Sequence, residues 1–125
     1  MQKKINTDKA PGALGPYSQA VEIDQLVYTS GQLGIDPATG ELADGVEAQA
    51  KQALENVKAI LAEAGLEMSS IIKTLVFIKD MNDFGKVNAI YADFFGPDYP
   101  ARSCVQVARL PMDALVEIEA IATLE

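Results

Sequence analysis

The chain has 125 residues and a formal net charge of −8, and 49% of its residues are hydrophobic. We expect one domain spanning residues 1–125, because this length buries one sizeable core but not two. The acidic charge disfavours nucleic acid as a partner, and the absence of histidine excludes His-based acid–base catalysis, the Ser-His-Asp and Cys-His arrangements and nearly all zinc sites.

The sequence carries no sign of targeting to a membrane or to an oxidising compartment. No apolar run approaches the roughly 18 residues of a membrane span, and the N-terminal residues lack the apolar stretch of a signal peptide. The single cysteine, Cys104, cannot form an internal disulfide, which is consistent with a reducing compartment. We therefore expect a cytoplasmic protein that binds neither a membrane nor nucleic acid and holds no metal.

The N-terminal third predicts a shaped loop and then a hairpin. Two prolines and two glycines fall within six residues of the segment 10–20, which is typical of a loop. For Tyr17, which follows them, binding and simple packing are equal alternatives. Strand-like runs on either side of Asp24-Gln25 predict a hairpin. In the second run, Gly31 after Ser30 either forms a bulge, which the residues favour, or offers a backbone N–H to an oxygen anion.

The clearest helix is predicted for residues 44–65. Its apolar side chains recur on one stripe, and its opposite face is charged and shows no chemistry. Asp44 as N-cap and Glu47 three residues later match a capping box. Gly65 stands where a glycine ends many helices.

A second helix is predicted to end at Phe95, with Asp80 or Asn82 as its N-cap. The run before it, residues 71–78, is apolar on both faces, which predicts an interior strand. Asn88 lies beside the apolar stripe of this helix. It is either turned toward a cleft or, by default, exposed.

The segment 100–111 contains the most unusual residue. It alternates like a strand and places Arg102, Cys104 and Gln106 on one face. A guanidinium in a strand otherwise fit for burial needs a partner, because an unpaired buried charge is costly. The alternatives are an anionic ligand, a structural salt bridge, or an edge strand that leaves Arg102 in water. From the residues alone, the two structural alternatives are favoured.

The last strand, residues 115–124, places Glu117 and Glu119 on one face. If the last two strands formed a tight hairpin, Arg102 and Glu117 would lie roughly 17 Å apart along the strands and on opposite faces of the sheet. Either the connection is not a hairpin, or the two side chains meet across a contact between subunits.

The order strand-strand-helix-strand-helix-strand-strand predicts an α+β fold with two helices packed on one face of a mixed sheet. Two helices cover only one face of that sheet. Self-association is the expected cover for the other, although the sequence does not fix the number of subunits.

Several segments resemble the RidA/YjgF family. They are Gly15-Pro16-Tyr17-Ser18-Gln19-Ala20, Thr29-Ser30-Gly31-Gln32, Asn82-Asp83-Phe84 with Val87-Asn88, Pro100-Ala101-Arg102-Ser103-Cys104-Val105, Leu110-Pro111, and Glu117 before Ile118. The resemblance covers essentially the whole chain, and only the loop 96–99 looks shorter than in some members. It implies a chorismate-mutase-like fold, assembled as a homotrimer with clefts between subunits. It also implies that the C-terminal strand inserts into the sheet, which would remove the conflict that the hairpin creates.

The resemblance further implies an activity and the residues that perform it. Members similar to this chain hydrolyse 2-imino acids to 2-oxo acids and ammonia without a cofactor, as 2-iminobutanoate/2-iminopropanoate deaminases. Arg102 would grip the substrate carboxylate, Glu117 would activate water, and the backbone of Cys104 would help to hold that water. The cleft would be lined by Tyr17, Ser30, Gly31 and Asn88.

Two other functions stay open at this point. One is a regulatory protein that binds a small carboxylate in the same cleft without turnover. The other, an endoribonuclease or translation inhibitor, fits poorly with the charge of −8 and the lack of histidine.

Overall fold

A computed structural model describes residues 1–125. Its strands are β1 (Lys3–Ile5), β2 (Ala20–Ile23), β3 (Leu26–Thr29), β4 (Gln32–Leu33), β5 (Ile71–Ile78), β6 (Ala101–Gln106) and β7 (Val116–Thr123), and its helices are α1 (Val46–Glu63) and α2 (Phe84–Phe95). The seven strands form one mixed sheet in the order β1-β2-β3-β7-β5-β6, with β4 also paired to β7. The predicted α+β class is confirmed.

Both helices pack on the same face of the sheet because each presents one apolar stripe. The fully buried residues of α1 include Ala50, Ala53, Val57, Ile60 and Leu61, and those of α2 include Val87. On β7 the predicted alternation is present, with Val116, Ile118, Ala120 and Ala122 buried and the residues between them only partly buried. These side chains and the two helices share one core.

The strand β7 runs through the middle of the sheet. It pairs antiparallel with β5 on one side and with β3 and β4 on the other. The edge strand β6 instead pairs parallel with β5. A hairpin between β6 and β7 is therefore excluded, and the predicted insertion of the C-terminal strand is confirmed.

The start of α1 differs from the prediction, whereas its end agrees. Gly45 occupies the N-cap with φ of 88°, and no side chain caps the helix. The capping box of Asp44 is wrong, because Gly45 in this left-handed conformation separates Asp44 from the first helical turn. Gly65 does end the helix, with φ of +77° and an N–H that donates to the carbonyl of Ala62.

The predicted cap residue Asp80 caps the short turn before α2 and not α2 itself. The carboxylate of Asp80 accepts a hydrogen bond of 2.9 Å from the N–H of Asn82, which starts a short 3-10 turn that leads into α2. The helix ends at Phe95, as predicted. The strand β1 was not predicted, because Ile5 is its only buried residue and its two lysines suggest a solvated arm.

No helix covers the face of the sheet opposite α1 and α2, although a small cluster of Leu33, Ile35, Leu110 and Ala114 packs against Phe77 there. This face carries Tyr28, Leu75, Phe77, Val105 and Ile121, all at least partly exposed. This is the helix-free apolar face that the two-helix prediction anticipated. Neither helix has the length and apolar character needed to cross a membrane.

Candidate active site

The predicted site residues fall into two groups. Tyr17, Gly31 and Glu117 line a cavity of about 310 Å³. Asn88 and Arg102 line a second cavity of about 350 Å³, together with Tyr91 and Tyr99. Ser30 and Cys104 line neither cavity. One chain therefore divides the predicted site residues between two cavities.

Glu117 supplies the carboxylate of the first cavity. It lies on β7 opposite Leu33 of β4, and its side chain is half-buried. Burial raises the pKa of the Glu117 carboxyl above its usual range, and the nearby charge of Glu119 raises that pKa further. A carboxyl group whose pKa moves toward neutral pH is better suited to take up and release a proton during a reaction.

The residues Ser30 and Gly31 form a bulge that makes room for this carboxylate. The strands β3 and β4 pair with β7 in registers that differ by one residue, and the extra residue is accommodated between them. A Cβ on Gly31 would lie 2.6 Å from Cδ of Glu117, which is too close for two carbon atoms. The bulge is confirmed, and a side chain at position 31 would displace the Glu117 carboxylate from its present place.

Two hydrogen bonds shape the loop beside Glu117. The Ser30 hydroxyl donates to the carbonyl of Ser18 at 2.6 Å, so it anchors the loop. The hydroxyl of Tyr17 accepts a hydrogen bond of 2.9 Å from the N–H of Leu14. Tyr17 is 46% exposed and lines the cavity, so its ring is not part of the core.

The prediction from sequence gave Gln19 no role, but this residue holds the same loop together. Its side chain is 3% exposed, and its amide donates to the carbonyl of Pro11 at 2.7 Å. Its side-chain oxygen accepts a hydrogen bond of 2.6 Å from the N–H of Thr7. The sequence signal that could have found this role is an amide side chain in a loop rich in proline and glycine, because the backbone groups of such a loop need side-chain hydrogen-bond partners.

Arg102 reaches from β6 toward α2 on the helix-covered face. Its Cζ lies 4.7 Å from the centroid of the Tyr91 ring and 5.5 Å from that of Phe84. The one ion pair of the chain joins Arg109 to Asp113, so Arg102 has no internal carboxylate partner. The structural salt bridge is excluded. The strand is an edge strand, but Arg102 is partly buried and lines a cavity, where a planar guanidinium is suited to bind an anion through two parallel hydrogen bonds.

Cys104 and Asn88 lie on the same side of the sheet as Arg102. Burial raises the pKa of the Cys104 thiol, and the charge of Arg102 opposes this only in part. The thiol is thus protonated at neutral pH and is not prepared as a nucleophile. Asn88 is partly buried and lines the second cavity, in agreement with the cleft-facing alternative.

A single chain does not bring Arg102 and Glu117 together. Arg102 pairs with Thr74, and Glu117 pairs with Phe77 of the same strand β5. This offset of three residues places the side chains on opposite faces, about 10 Å apart along the strands and about 10 Å apart across them. The expectation that insertion of β7 removes the conflict is wrong, because the side chains still alternate between faces.

The sequence of the chain matches a known protein family. The model described as "Endoribonuclease L-PSP" matches residues 7–124. The chain belongs to this family. Membership of the RidA/YjgF group, predicted from the motifs, is confirmed by relatives of high identity.

Three similar proteins illustrate this relationship within the endoribonuclease L-PSP family. The 2-iminobutanoate/2-iminopropanoate deaminase of Salmonella typhimurium is 57% identical over 98% of each chain. The crystal structure of E. coli TdcF with bound serine has 54% identity and a TM-score of 0.94, and the match covers 97% of this chain and 98% of TdcF. The YjgF gene product from E. coli has 52% identity and a TM-score of 0.95 over 98% and 99% of the two chains.

Proposed function

We propose that this member of the endoribonuclease L-PSP family is a 2-iminobutanoate/2-iminopropanoate deaminase, which hydrolyses 2-imino acids to 2-oxo acids and ammonia. The observation that carries this proposal is a guanidinium without an internal carboxylate in a chain that also holds a carboxyl group of raised pKa. The 57% identity to a deaminase over 98% of both chains supports the same activity. The proposed location is the cytoplasm.

The complete site in this proposal lies between subunits of a homotrimer. Arg102 and Glu117 of one chain point to opposite faces, so a shared cleft needs Arg102 from one subunit and Glu117 from another. The uncovered apolar face of the sheet provides a surface for that association. Three is the number of subunits that the family resemblance implies.

Each site residue has a role in binding the small substrate. Arg102 holds the substrate carboxylate through two parallel N–H···O bonds, which fixes the position of the imine carbon. The backbone of Cys104 helps to hold the attacking water. The cleft around them is lined by Tyr17, Gly31 and Asn88, and Ser30 anchors the loop beside it through the carbonyl of Ser18.

Glu117 acts first as the general base and then as the general acid of the reaction. It removes a proton from water as the oxygen attacks the carbon of the protonated imine, which gives a neutral tetrahedral carbinolamine. The same carboxyl then gives that proton to the nitrogen. As the C–N bond breaks, the carboxylate takes the proton of the carbinolamine hydroxyl, the C=O of the 2-oxo acid forms, and ammonia leaves and carries this proton away as ammonium. An imine is already electrophilic, so correct orientation, one carboxylate and one anion anchor are sufficient for useful acceleration. No cofactor is required in this scheme.

A trapping assay tests the activity. An amino-acid oxidase generates the imine in the presence of semicarbazide, which competes for it and forms a semicarbazone that is followed by its ultraviolet absorbance. The proposed enzyme lowers the rate of semicarbazone formation as its concentration rises, because it hydrolyses the imine to the free 2-oxo acid first. Binding of 2-oxobutanoate without any effect on the semicarbazone would instead support the regulatory alternative.

A further inference from the structure

We propose that Phe84, Tyr91 and Thr74 form a platform that positions the guanidinium of Arg102 for a carboxylate ligand. The identity of that ligand as a 2-imino acid rests on the proposed function, whereas the platform itself is argued from contacts within the chain. In this view the three residues act through Arg102 and are positioning residues.

The platform begins with the sheet register. Thr74 of β5 is the direct neighbour of Arg102 on β6, so both side chains project from the same face. The hydroxyl of Thr74 lies 2.7 Å from that of Tyr91 on α2. The ring of Tyr91 in turn lies under the guanidinium, with its centroid 4.7 Å from Cζ of Arg102. These three contacts form a closed cycle in which each residue restricts the next.

Burial makes this cycle rigid. Thr74 is 1% exposed and Tyr91 is 5% exposed, so neither side chain has room to change its rotamer freely. Each hydroxyl is the hydrogen-bond partner of the other, which avoids the cost of a buried polar group without a partner. Burial also raises the pKa of the Tyr91 hydroxyl. Tyr91 is therefore neutral and does not compete with a ligand for the charge of Arg102.

Phe84 completes the platform at its rim. Its ring centroid lies 5.5 Å from Cζ of Arg102, and 38% of its side chain is exposed. Contacts with two aromatic rings stabilise the cation and limit the orientations of its plane. Neither ring offers a charged partner, so the N–H groups of Arg102 remain available to a carboxylate. Phe84 also keeps water from one side of the guanidinium, which strengthens an ion pair formed there.

A purely structural role makes a different prediction from a positioning role. Packing alone would lower the stability of the fold and leave the affinity for a carboxylate unchanged in the folded protein. A platform that acts through the charge of Arg102 would change the affinity for an anion more than the affinity for a neutral ligand of the same shape.

The test uses Phe84→Leu with Phe94→Leu as the matched control. Phe94 lies on the same helix but lines a groove between α1 and α2, away from Arg102. Calorimetry measures the Kd of 2-oxobutanoate and of its neutral amide, 2-oxobutanamide. We expect Phe84→Leu to weaken binding of the anion by about three- to tenfold, with less than a twofold change for the amide. In turnover the same variant should raise KM more than it lowers kcat.

Binding of 2-oxobutanoate is measured without turnover, so the platform and the deaminase activity can fail independently. Equal affinities for 2-oxobutanoate in Phe84→Leu and Phe94→Leu, or equal losses for the anion and the amide, would overturn the platform. A wild-type protein that binds 2-oxobutanoate but hydrolyses no imine would overturn the deaminase proposal and leave the platform intact.

The link through Thr74 has its own pair of variants. Thr74→Val removes the hydroxyl that holds Tyr91, whereas Thr74→Ser keeps it. We expect Thr74→Val to weaken binding of 2-oxobutanoate by about two- to fivefold and Thr74→Ser to restore at least half of that loss. Identical affinities in both variants would remove Thr74 from the platform.

Discussion

Arg102 and Glu117 lie on opposite faces of the same sheet, although both flank the strand β5. Their pairing partners on that strand, Thr74 and Phe77, are three residues apart, so the two side chains point in opposite directions. An isolated chain thus holds a guanidinium and a carboxyl group that do not meet. The proposed function follows from this relationship, with each cleft built from two subunits.

The anion anchor is tested by Arg102→Ala. We expect kcat/KM for imine hydrolysis to fall by roughly 30-fold or more, because truncating one member of a buried charge pair costs about 2–5 kcal/mol. The circular dichroism spectrum and the oligomeric state should stay those of the wild type. The matched control is Arg109→Ala, which removes an exposed arginine paired with Asp113 and should leave activity unchanged. Near-normal ammonia release by Arg102→Ala would reject the role of Arg102.

The variant Gly31→Ala tests whether activity depends on the position of the Glu117 carboxylate beside the bulge. The added Cβ would collide with the carboxylate of Glu117, so either the carboxylate or the bulge must shift. A shift of about 1 Å at a catalytic group costs roughly 100-fold in rate, and we expect kcat to fall by that order. Gly85→Ala is the control, because no atom lies within 4 Å of its added Cβ and it lies in α2. If both variants keep full activity, the carboxylate does not need its present position.

The proton-transfer role of Glu117 is tested through its neighbour Glu119. Glu117 must be deprotonated to activate water, so kcat/KM should fall as the pH drops through its pKa. Burial is the main cause that raises this pKa, and the charge of Glu119 is the second. Glu119→Gln removes the second cause only, so the acidic limb of the pH profile should move to lower pH. The exposed Glu63→Gln on α1 should leave the profile unchanged, and a shift of the Glu119→Gln profile to higher pH would contradict the role.

The parts of the fold that follow local patterns could be predicted from the sequence. The strand β7 has a strict period of two, and Gly65 ends α1 in the left-handed conformation that glycine favours. The start of α1 was missed because the conformation of Gly45, and not the residue type of Asp44, decides where the first turn begins. Local propensity does not report such a conformation.

The residue types of the candidate site could be predicted from motifs, but their arrangement could not. The separation of Arg102 from Glu117 depends on β5 lying between β6 and β7, which is a tertiary pairing. The aromatic platform was missed for the same reason. Phe84 and Tyr91 lie on one helix stripe and are read from sequence as core residues, and only the packing of α2 on β6 places them against a guanidinium.

The most direct test of the shared site is complementation between two inactive variants. Arg102→Ala and Glu117→Gln are unfolded together in equal amounts and refolded, and native mass spectrometry verifies that mixed trimers form. A cleft is complete when its arginine comes from a Glu117→Gln subunit and its glutamate from an Arg102→Ala subunit. With random mixing this holds for about one quarter of the clefts, so we predict recovery of about one quarter of the wild-type activity. Mixed trimers that remain as inactive as either variant alone would contradict a site shared between subunits.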